Sequence, residues 1–205
     1  MKYAFVITLL FAVIAIGFFI FQRTDEYEIV NYPSSGSTIV VFGDSLAQGV
    51  GARTEGGFVT ILSERIGEPI INLGRGGDTT KLALARIDRV LETDPRIVMV
   101  LLGGNDYLSR VSKDETLENL SAIIERIQSQ GSVVILLGVR GGLLYDSYEK
   151  DYKKLAGDLG AAYVPNVLDG MIGNPTYMED IIHPNEAGHT LIADRIQPVL
   201  EKLLR

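Results

Sequence analysis

The 205-residue chain contains no cysteine and no tryptophan. The absence of cysteine excludes a disulfide scaffold, a zinc ribbon, a thiolate-held iron–sulfur cluster and a catalytic cysteine. The chain also has no run of Lys and Arg, and its 19 basic and 26 acidic side chains give a net charge of −7. Nucleic-acid binding needs clustered cations that displace counterions, so a nucleic acid is not an expected partner.

Charged residues are missing from Ala4 to Phe21, and this segment predicts a membrane-spanning helix. At a rise of about 1.5 Å per residue the run is about 27 Å long, close to the thickness of a hydrocarbon core. A cleaved signal peptide usually has a shorter apolar region that ends at small residues, whereas this run ends in bulky ones. We therefore predict an uncleaved anchor over residues 1–22 with the rest of the chain outside the cytoplasm, and a cleaved signal segment is the alternative.

Residues 23–37 are mainly polar, which predicts a tether between the membrane and a single domain over residues 38–205. In that domain, five short apolar runs alternate with longer segments whose apolar residues recur with a helical period. The runs cover residues 39–42, 69–73, 97–102, 133–137 and 161–164, and the helical segments cover residues 58–66, 82–91, 117–127, 148–159 and 187–204. Continuous apolar runs are typical of strands buried on both faces, so the pattern predicts a three-layer α/β/α sandwich with a five-stranded parallel sheet.

Polar motifs follow three of the predicted strands, at the sheet edge where functional groups of α/β proteins lie. Gly43-Asp44-Ser45-Leu46 presents a hydroxyl, Gly74-Arg75-Gly76-Gly77 presents backbone N–H groups, and Gly103-Gly104-Asn105-Asp106 presents a carboxamide. Each motif also has a plain structural interpretation: a helix cap for Ser45, and tight turns for the other two. The segment of residues 74–77, which we call the glycine segment, lacks the spacing of a Walker or Rossmann loop.

Histidine is scarce, with only His183 and His189 in the whole chain. A general base that works near neutral pH is therefore expected to be one of these two residues. Asp180 precedes His183 by three positions, so both side chains can reach a common site from one loop. His189 falls inside the last predicted helix, where packing is its expected role. Asp180, His183 and His189 offer too few convergent ligands for a metal site.

Taken together and in this order, the motifs around Ser45, Gly77, Asn105 and His183 resemble those of the GDSL (SGNH) hydrolase family. The resemblance extends from residue 38 to the C-terminus and is strongest to the branch of arylesterases, acyl-thioesterases and lysophospholipases. It implies a flavodoxin-like fold and hydrolysis of acyl esters without a metal or a cofactor. It implies that Ser45 is the nucleophile, His183 the general base and Asp180 the residue that orients it. It also implies an oxyanion hole formed by the N–H groups of Ser45 and Gly77 and the Asn105 side chain.

The sequence departs from the family pattern at one position. Family members often have glycine after the catalytic Asp, and Ile181 stands there in this chain. Gly74 and Gly76 are close to Gly77 and compete with it for the oxyanion assignment.

The loops after the strands are expected to line an open cleft. Arg140, Leu143 and Tyr145 are candidate substrate-binding residues. Further candidates for an apolar lining are Leu144, Met171, Ile172 and Met178, and ordinary loop packing is the alternative. The expected substrate is a small-molecule or lipid acyl ester or thioester, such as an arylester or a lysophospholipid. Two other functions remain open: removal or transfer of acyl groups on cell-surface polysaccharide, and an inactive, membrane-tethered binding protein. The sequence does not indicate an oligomeric state.

Overall fold

The computed structural model describes residues 27–139 and 148–205. At its centre is a five-stranded sheet of Thr38–Gly43 (β1), Ile70–Gly74 (β2), Pro95–Leu101 (β3), Val133–Leu137 (β4) and Ala162–Val164 (β5). All neighbouring strands are parallel, in the order β2-β1-β3-β4-β5. The predicted five-stranded parallel sheet is therefore confirmed.

The apolar runs form strands because the central strands are buried on both faces. Val40 of β1, Val98 of β3 and Val134 of β4 lie in one row across the sheet, and none of them is exposed to solvent. Their β-branched side chains suit a pleated surface that is covered on both sides.

Helices cover both faces of the sheet. In the described ranges they are Ser45–Gln48 (α1), Phe58–Ile66 (α2), Thr80–Leu84 (α3), Asp88–Leu91 (α4), Gly104–Leu108 (α5), Lys113–Gln128 (α6), Glu149–Asp158 (α7) and Glu186–Leu203 (α8). Helix α2 packs against α8, whereas α6 packs against α3 and α7. The step from β1 to β2 runs in the opposite direction to the steps from β3 to β4 and β5. Right-handed connections therefore place these two groups of helices on opposite faces.

Helix α6 shows how a local pattern becomes part of the core. Its apolar residues Leu120, Ile123 and Ile127 recur at helical spacing and are fully buried. The helix begins after Ser112, whose Oγ accepts the N–H of Glu115 at 3.2 Å and satisfies a donor of the first turn.

The single helix predicted over residues 82–91 is wrong. The short helices α3 and α4 take its place and are separated by a turn at residues 85–87. This turn places Arg86 where its guanidinium reaches Asp78 and the carbonyl oxygen of Gly43, while Ile87 is buried in the core. These tertiary contacts outweigh the helical preference of the local sequence.

Residues 27–37 lie against the domain, so this part of the predicted tether is held in place. The Tyr27 hydroxyl donates to the carbonyl oxygen of Ala161 at 2.6 Å, and the Asn31 amide donates to that of Ser132 at 3.1 Å. Both acceptors directly precede a strand, so the segment docks at the amino ends of the strands. A six-residue strand such as β1 is about 20 Å long. The docked segment therefore lies about that far from the loops at the carboxyl ends of the strands.

Within the described ranges, no helix combines the length and the apolar character needed to cross a bilayer. The anchor predicted over residues 1–22 lies outside the described residues, as do the first positions of the predicted tether.

Candidate active site

Ser45 opens the short helix α1 directly after strand β1. Asp44 caps this helix, because its Oδ1 accepts the N–H of Leu46 at 3.0 Å. Gly49 ends the helix with a φ of +94°, a left-handed conformation that a residue with a Cβ adopts only with strain. Strand β1, the Asp44 cap and the turn at Gly49 thus fix Ser45 at the carboxyl edge of the sheet. Ser45 lies between β1 and β3, where the direction of the crossovers reverses.

Asp180 and His183 belong to one loop ahead of α8. The loop is closed on itself, because Asp180 Oδ1 accepts the backbone N–H groups of Ile182 at 2.8 Å and His183 at 2.7 Å. The other carboxylate oxygen, Oδ2, accepts the Nδ1–H of His183 at 2.8 Å. The hydrogen bond from the His183 side chain is the main reason why the pKa of Asp180 is lowered to about 2. The carboxylate is therefore charged at neutral pH.

The second ring nitrogen of His183 reaches Ser45. His183 Nε2 lies 3.1 Å from Ser45 Oγ, although 138 positions separate the two residues in the sequence. With Nδ1–H directed at Asp180, Nε2 is the acceptor for the proton of the Ser45 hydroxyl. The structure thus brings Ser45, His183 and Asp180 together in one chain of hydrogen bonds.

The loop of His183 is tied to the segment that follows Ser45. The Glu186 carboxylate accepts the N–H of Arg53 at 2.8 Å, and the N–H and hydroxyl of Thr54 at 3.0 and 2.6 Å. The hydroxyl of Thr54 is the main cause of a lowered pKa at Glu186. Gly51 approaches the carbonyl oxygen of Pro184 so closely that a Cβ would lie 2.2 Å from it. These contacts hold the loop of His183 against the segment that follows Ser45.

His189 is buried and joins the same two segments. Its Nδ1 accepts the N–H of Phe58 at 3.2 Å, its Nε2 donates to the carbonyl oxygen of Val50 at 3.1 Å, and its ring stacks on Phe58. Burial lowers the pKa of His189, so the ring is neutral. Because both ring nitrogens bind backbone groups, His189 is available neither as a base nor as a metal ligand. The described residues also contain no group of three metal-ligating side chains.

Hydrogen bonding distinguishes the three glycines that compete for the oxyanion assignment. The N–H groups of Gly74 and Gly76 donate to neighbouring side chains, each at 2.8 Å. The N–H of Gly77 has no hydrogen-bond partner among the described residues, and the same is true of the N–H of Ser45. The glycine segment is adjacent to the serine, since a Cβ on Gly76 would lie 3.9 Å from Ser45 Cβ. Gly77 and Ser45 can therefore donate to a bound group.

Asn105 lies in α5, directly after β3. Its amide Nδ2 donates one hydrogen bond to the carbonyl oxygen of Asp78 at 3.0 Å, and Asp78 directly follows Gly77. A carboxamide nitrogen carries two hydrogens, so a second donor remains for a ligand. The contact fixes Asn105 relative to the glycine segment.

Three carboxylates are buried around these loops: Asp44, Asp78 and Asp106, none of them more than 3% exposed. Asp106 accepts the N–H and the hydroxyl of Thr80 at 2.8 and 2.5 Å, and Asp78 pairs with Arg86. For Asp44, burial is the main cause that raises the pKa to about 7. Sequence reasoning missed the roles of Asp44, Asp106 and Arg86, because burial depends on the assembled fold.

Of the candidate substrate-binding residues, Arg140, Leu143 and Tyr145 lie outside the described residues. The expectation that Met171 and Met178 line a cleft is wrong, because both side chains are buried in the hydrophobic core. Flexible thioether side chains fill irregular gaps in a core well, which accounts for their position under the loop.

Sequence reasoning also missed a group of exposed apolar side chains around the loops of Ser45 and His183. We call this end of the domain, at the carboxyl ends of the strands, the catalytic pole. Among the described residues eight large apolar side chains are exposed, and six of them adjoin the motifs at the carboxyl ends of the strands or the loop of His183. We call these six the apolar rim: Val50, Leu82, Tyr107, Leu108, Ile181 and Ile182. Ile181, which is 85% exposed, lies between the two members of the Asp180–His183 pair. The sequence feature that could have indicated the apolar rim is the position of each of these apolar residues beside a polar motif.

Comparison with known proteins gives this geometry a family. A sequence profile of the GDSL-like lipase/acylhydrolase family matches residues 41–191. The chain belongs to this family. Esterase TesA of Pseudomonas aeruginosa is 29% identical over 188 residues, which cover 86% of this chain and 94% of the relative. The thioesterase 1/protease 1/lysophospholipase L1 of Escherichia coli is 27% identical over 180 residues, which cover 83% and 86%.

A solved structure agrees with the family assignment. The crystal structure of the psychrotrophic esterase EstA from Pseudoalteromonas sp., inhibited by monoethylphosphonate, matches with a TM-score of 0.72 and 26% identity. The match covers 82% of this chain and 98% of that one. As a GDSL-like acylhydrolase, the protein is a carboxylic ester hydrolase.

Proposed function

We propose that the protein hydrolyses acyl esters through Ser45, His183 and Asp180, by way of an acyl-enzyme. The observation that carries the proposal is the chain of hydrogen bonds from Asp180 to His183 at 2.8 Å and from His183 to Ser45 at 3.1 Å. A serine hydroxyl is a weak nucleophile at neutral pH and needs a base at such a distance to take its proton.

The reaction then has two halves. Ser45 Oγ attacks the carbonyl carbon of the ester while its proton passes to His183 Nε2. The tetrahedral intermediate collapses, the bond to the leaving alcohol or thiol breaks, and His183 returns the proton to that group. Water, deprotonated by His183, then attacks the acyl-enzyme and releases the acid and Ser45. Asp180 keeps Nδ1 protonated and stabilises the imidazolium, which agrees with its lowered pKa of about 2.

We assign stabilisation of the tetrahedral intermediates to Ser45, Gly77 and Asn105. The carbonyl oxygen becomes negatively charged in each half-reaction and needs donors that are already in place. The unpartnered N–H groups of Ser45 and Gly77 and the second amide hydrogen of Asn105 can supply them. Each such donor contributes about 3 kcal/mol to the transition state in other acyl-transfer enzymes.

The substrates that the catalytic pole favours are acyl esters and thioesters with an apolar part, such as arylesters or lysophospholipids. The apolar rim supports an apolar substrate, because exposed apolar side chains gain from contact with one. The side chains of His183 and Asp180 are 18% and 51% exposed, so the site is open to water. Access of water favours hydrolysis over transfer of the acyl group to another alcohol.

Single substitutions test the proposed mechanism. We expect Ser45→Ala and His183→Ala each to abolish hydrolysis of short p-nitrophenyl esters, with an unchanged circular dichroism spectrum. The matched control is Ser121→Ala, which removes a helix hydroxyl that donates to Glu125, and it should keep the wild-type rate. A fluorophosphonate probe should label the wild type and not Ser45→Ala. Near-full activity in either active-site variant contradicts the mechanism, and an unlabelled wild type indicates an inactive binding protein.

We also infer that residues 1–22 anchor the protein in a membrane and that the domain lies outside the cytoplasm. The uncharged run from Ala4 to Phe21 supports an anchor. Residues 27–37 dock at the amino ends of the strands, opposite the pole of Ser45. An anchor attached there turns the catalytic pole away from its own bilayer. This orientation supports esters that arrive from the aqueous side, with acyl groups on cell-surface polysaccharide as the second candidate.

Labelling of intact cells tests the location. We expect a membrane-impermeant fluorophosphonate to label Ser45 as completely as a permeant one, and the labelled protein to stay in the membrane fraction after washing with alkaline carbonate. Labelling by the permeant probe alone contradicts the orientation, and release into the wash contradicts the anchor. Acyl transfer to an added sugar alcohol that exceeds hydrolysis identifies the transferase alternative.

A further inference from the structure

Arg86 is a nearly buried cation with no direct part in the proposed chemistry. Its side chain is 11% exposed and lies in the turn between α3 and α4. Its Nε donates to Asp78 Oδ2 at 2.5 Å and its Nη2 donates to the carbonyl oxygen of Gly43 at 3.0 Å. The guanidinium carbon lies 4.4 Å from the ring centre of Phe42. One side chain thus joins the end of β1 to the glycine segment.

Both hydrogen-bond partners of this arginine adjoin proposed oxyanion donors. Asp78 directly follows Gly77, and its carbonyl oxygen accepts the amide of Asn105 at 3.0 Å. Gly43 lies two positions before Ser45, at the end of β1. A displacement of Asp78 therefore moves Gly77 and Asn105 together, relative to Ser45.

We propose that Arg86 is a positioning residue for the oxyanion hole, which holds the glycine segment in place against the turn that carries the nucleophile. The proposal rests on the proposed roles of Ser45, Gly77 and Asn105. Preorganised donors stabilise a developing charge only when they are held where that charge appears. A guanidinium suits this task, because it presents several donors in a rigid plane and stacks on an aromatic face. The ammonium group of lysine is a point charge on a flexible stem and cannot hold both acceptors in that geometry.

Arg86→Lys in the full-length protein tests the proposal, because it keeps a positive charge for the buried Asp78. The kcat for p-nitrophenyl butyrate is measured per active site, after titration to completion with a fluorophosphonate. We expect it to fall about 10- to 100-fold with KM changed less than about twofold, because the loss falls on the transition state. The matched control is Arg65→Lys. Arg65 likewise donates two hydrogen bonds, in its case to the side chains of Asp194 at 2.7 Å and Gln197 at 3.2 Å on the α2–α8 surface. Both constants of this variant should stay near the wild-type values.

Asp78→Asn provides a second test. It keeps the size of the side chain and the backbone carbonyl that binds Asn105, and it weakens the hydrogen bonds that the side chain accepts from Arg86 and from the exposed Arg75. We expect kcat per titrated site to fall about 3- to 10-fold, in line with the loss of charge from one hydrogen-bond partner.

The outcomes separate the positioning role from the proposed function. An unchanged kcat per titrated site in both variants overturns the proposal, even where fewer sites can be titrated, because that pattern shows a role in folding alone. A rise in KM in place of the fall in kcat overturns it as well. Turnover that persists in Ser45→Ala shows instead that the proposed function itself fails.

Discussion

The buried carboxyl group of Asp44 should lower the stability of the folded protein as the pH rises to neutral, and Asp44→Asn should remove this effect. Burial is the main cause that raises the pKa of Asp44 from 3.8 to about 7. A group whose pKa is higher in the folded state contributes stability that is complete below the unfolded pKa and is lost as the pH rises through the folded pKa. The wild type therefore loses this contribution between about pH 4 and pH 7.

The size of the effect follows from the two pKa values. At pH 5 the folded carboxyl group is almost fully protonated and the unfolded one is mostly ionised, whereas at pH 8 both are ionised. At about 1.4 kcal/mol per pK unit, the wild type loses about 2 to 3 kcal/mol of unfolding free energy between these pH values through Asp44. Asparagine does not ionise, and its Oδ1 can still accept the N–H of Leu46 that lies 3.0 Å from Asp44. The stability of Asp44→Asn relative to the wild type should therefore rise by about 2 to 3 kcal/mol from pH 5 to pH 8.

Urea unfolding at pH 5 and pH 8 measures this difference. The chain has no tryptophan, so far-UV circular dichroism of the full-length proteins in one detergent is the appropriate signal. Asp106→Asn is the control, and it should lose stability at both pH values because Asp106 accepts two hydrogen bonds from Thr80. A stability difference between Asp44→Asn and the wild type that is the same at both pH values would refute the reasoning.

Three further predictions concern other parts of the molecule. The pKa of Asp180 is lowered to about 2, so Asp180→Asn should reduce kcat by at least about 100-fold at every pH from 5 to 9, and parallel pH–rate curves would show it. Gly77→Ala and Gly173→Ala both place a Cβ in open space at φ near +80°, so each should lose about 1 kcal/mol of stability in urea titrations. Only Gly77→Ala should also lower kcat, and equal kcat values would count against Gly77 as a donor. Tyr27→Phe removes a 2.6 Å hydrogen bond and should speed proteolysis within residues 27–37, whereas Tyr32→Phe, whose exposed hydroxyl lies 3.3 Å from its acceptor, should not.

The strands could be predicted from the sequence because their cause is local. A strand that is buried on both faces must be apolar throughout. The first and last residues of each predicted run lie within two positions of those of the observed strand. The candidate site residues could be predicted because parallel strands place the segments after them at one edge. The meeting of Ser45 with His183 is not local, and its expectation depended on the family resemblance.

The features that sequence reasoning missed depend on partners far away in the chain. Arg86 lies in the turn between α3 and α4 and donates to the carbonyl oxygen of Gly43, 43 positions away. Asn31 donates to the carbonyl oxygen of Ser132, 101 positions away. A helical or strand period contains no information about such partners. The burial of Met171 in the core is of the same kind, because it depends on how a loop folds back onto the sheet.

The catalytic pole combines fixed geometry with poorly compensated buried charge. Asp78 has the ion pair with Arg86, and Asp106 has the two hydrogen bonds from Thr80, but Asp44 accepts a backbone N–H and keeps a raised pKa of about 7. Buried charge destabilises a fold unless it is paired, whereas donors that stabilise a transition state must be held in place before the reaction. Stability and geometry are therefore separable at this pole. For that reason Asp44→Asn should gain stability near neutral pH, while Arg86→Lys, which keeps the charge and loses the rigid contact, should lose kcat.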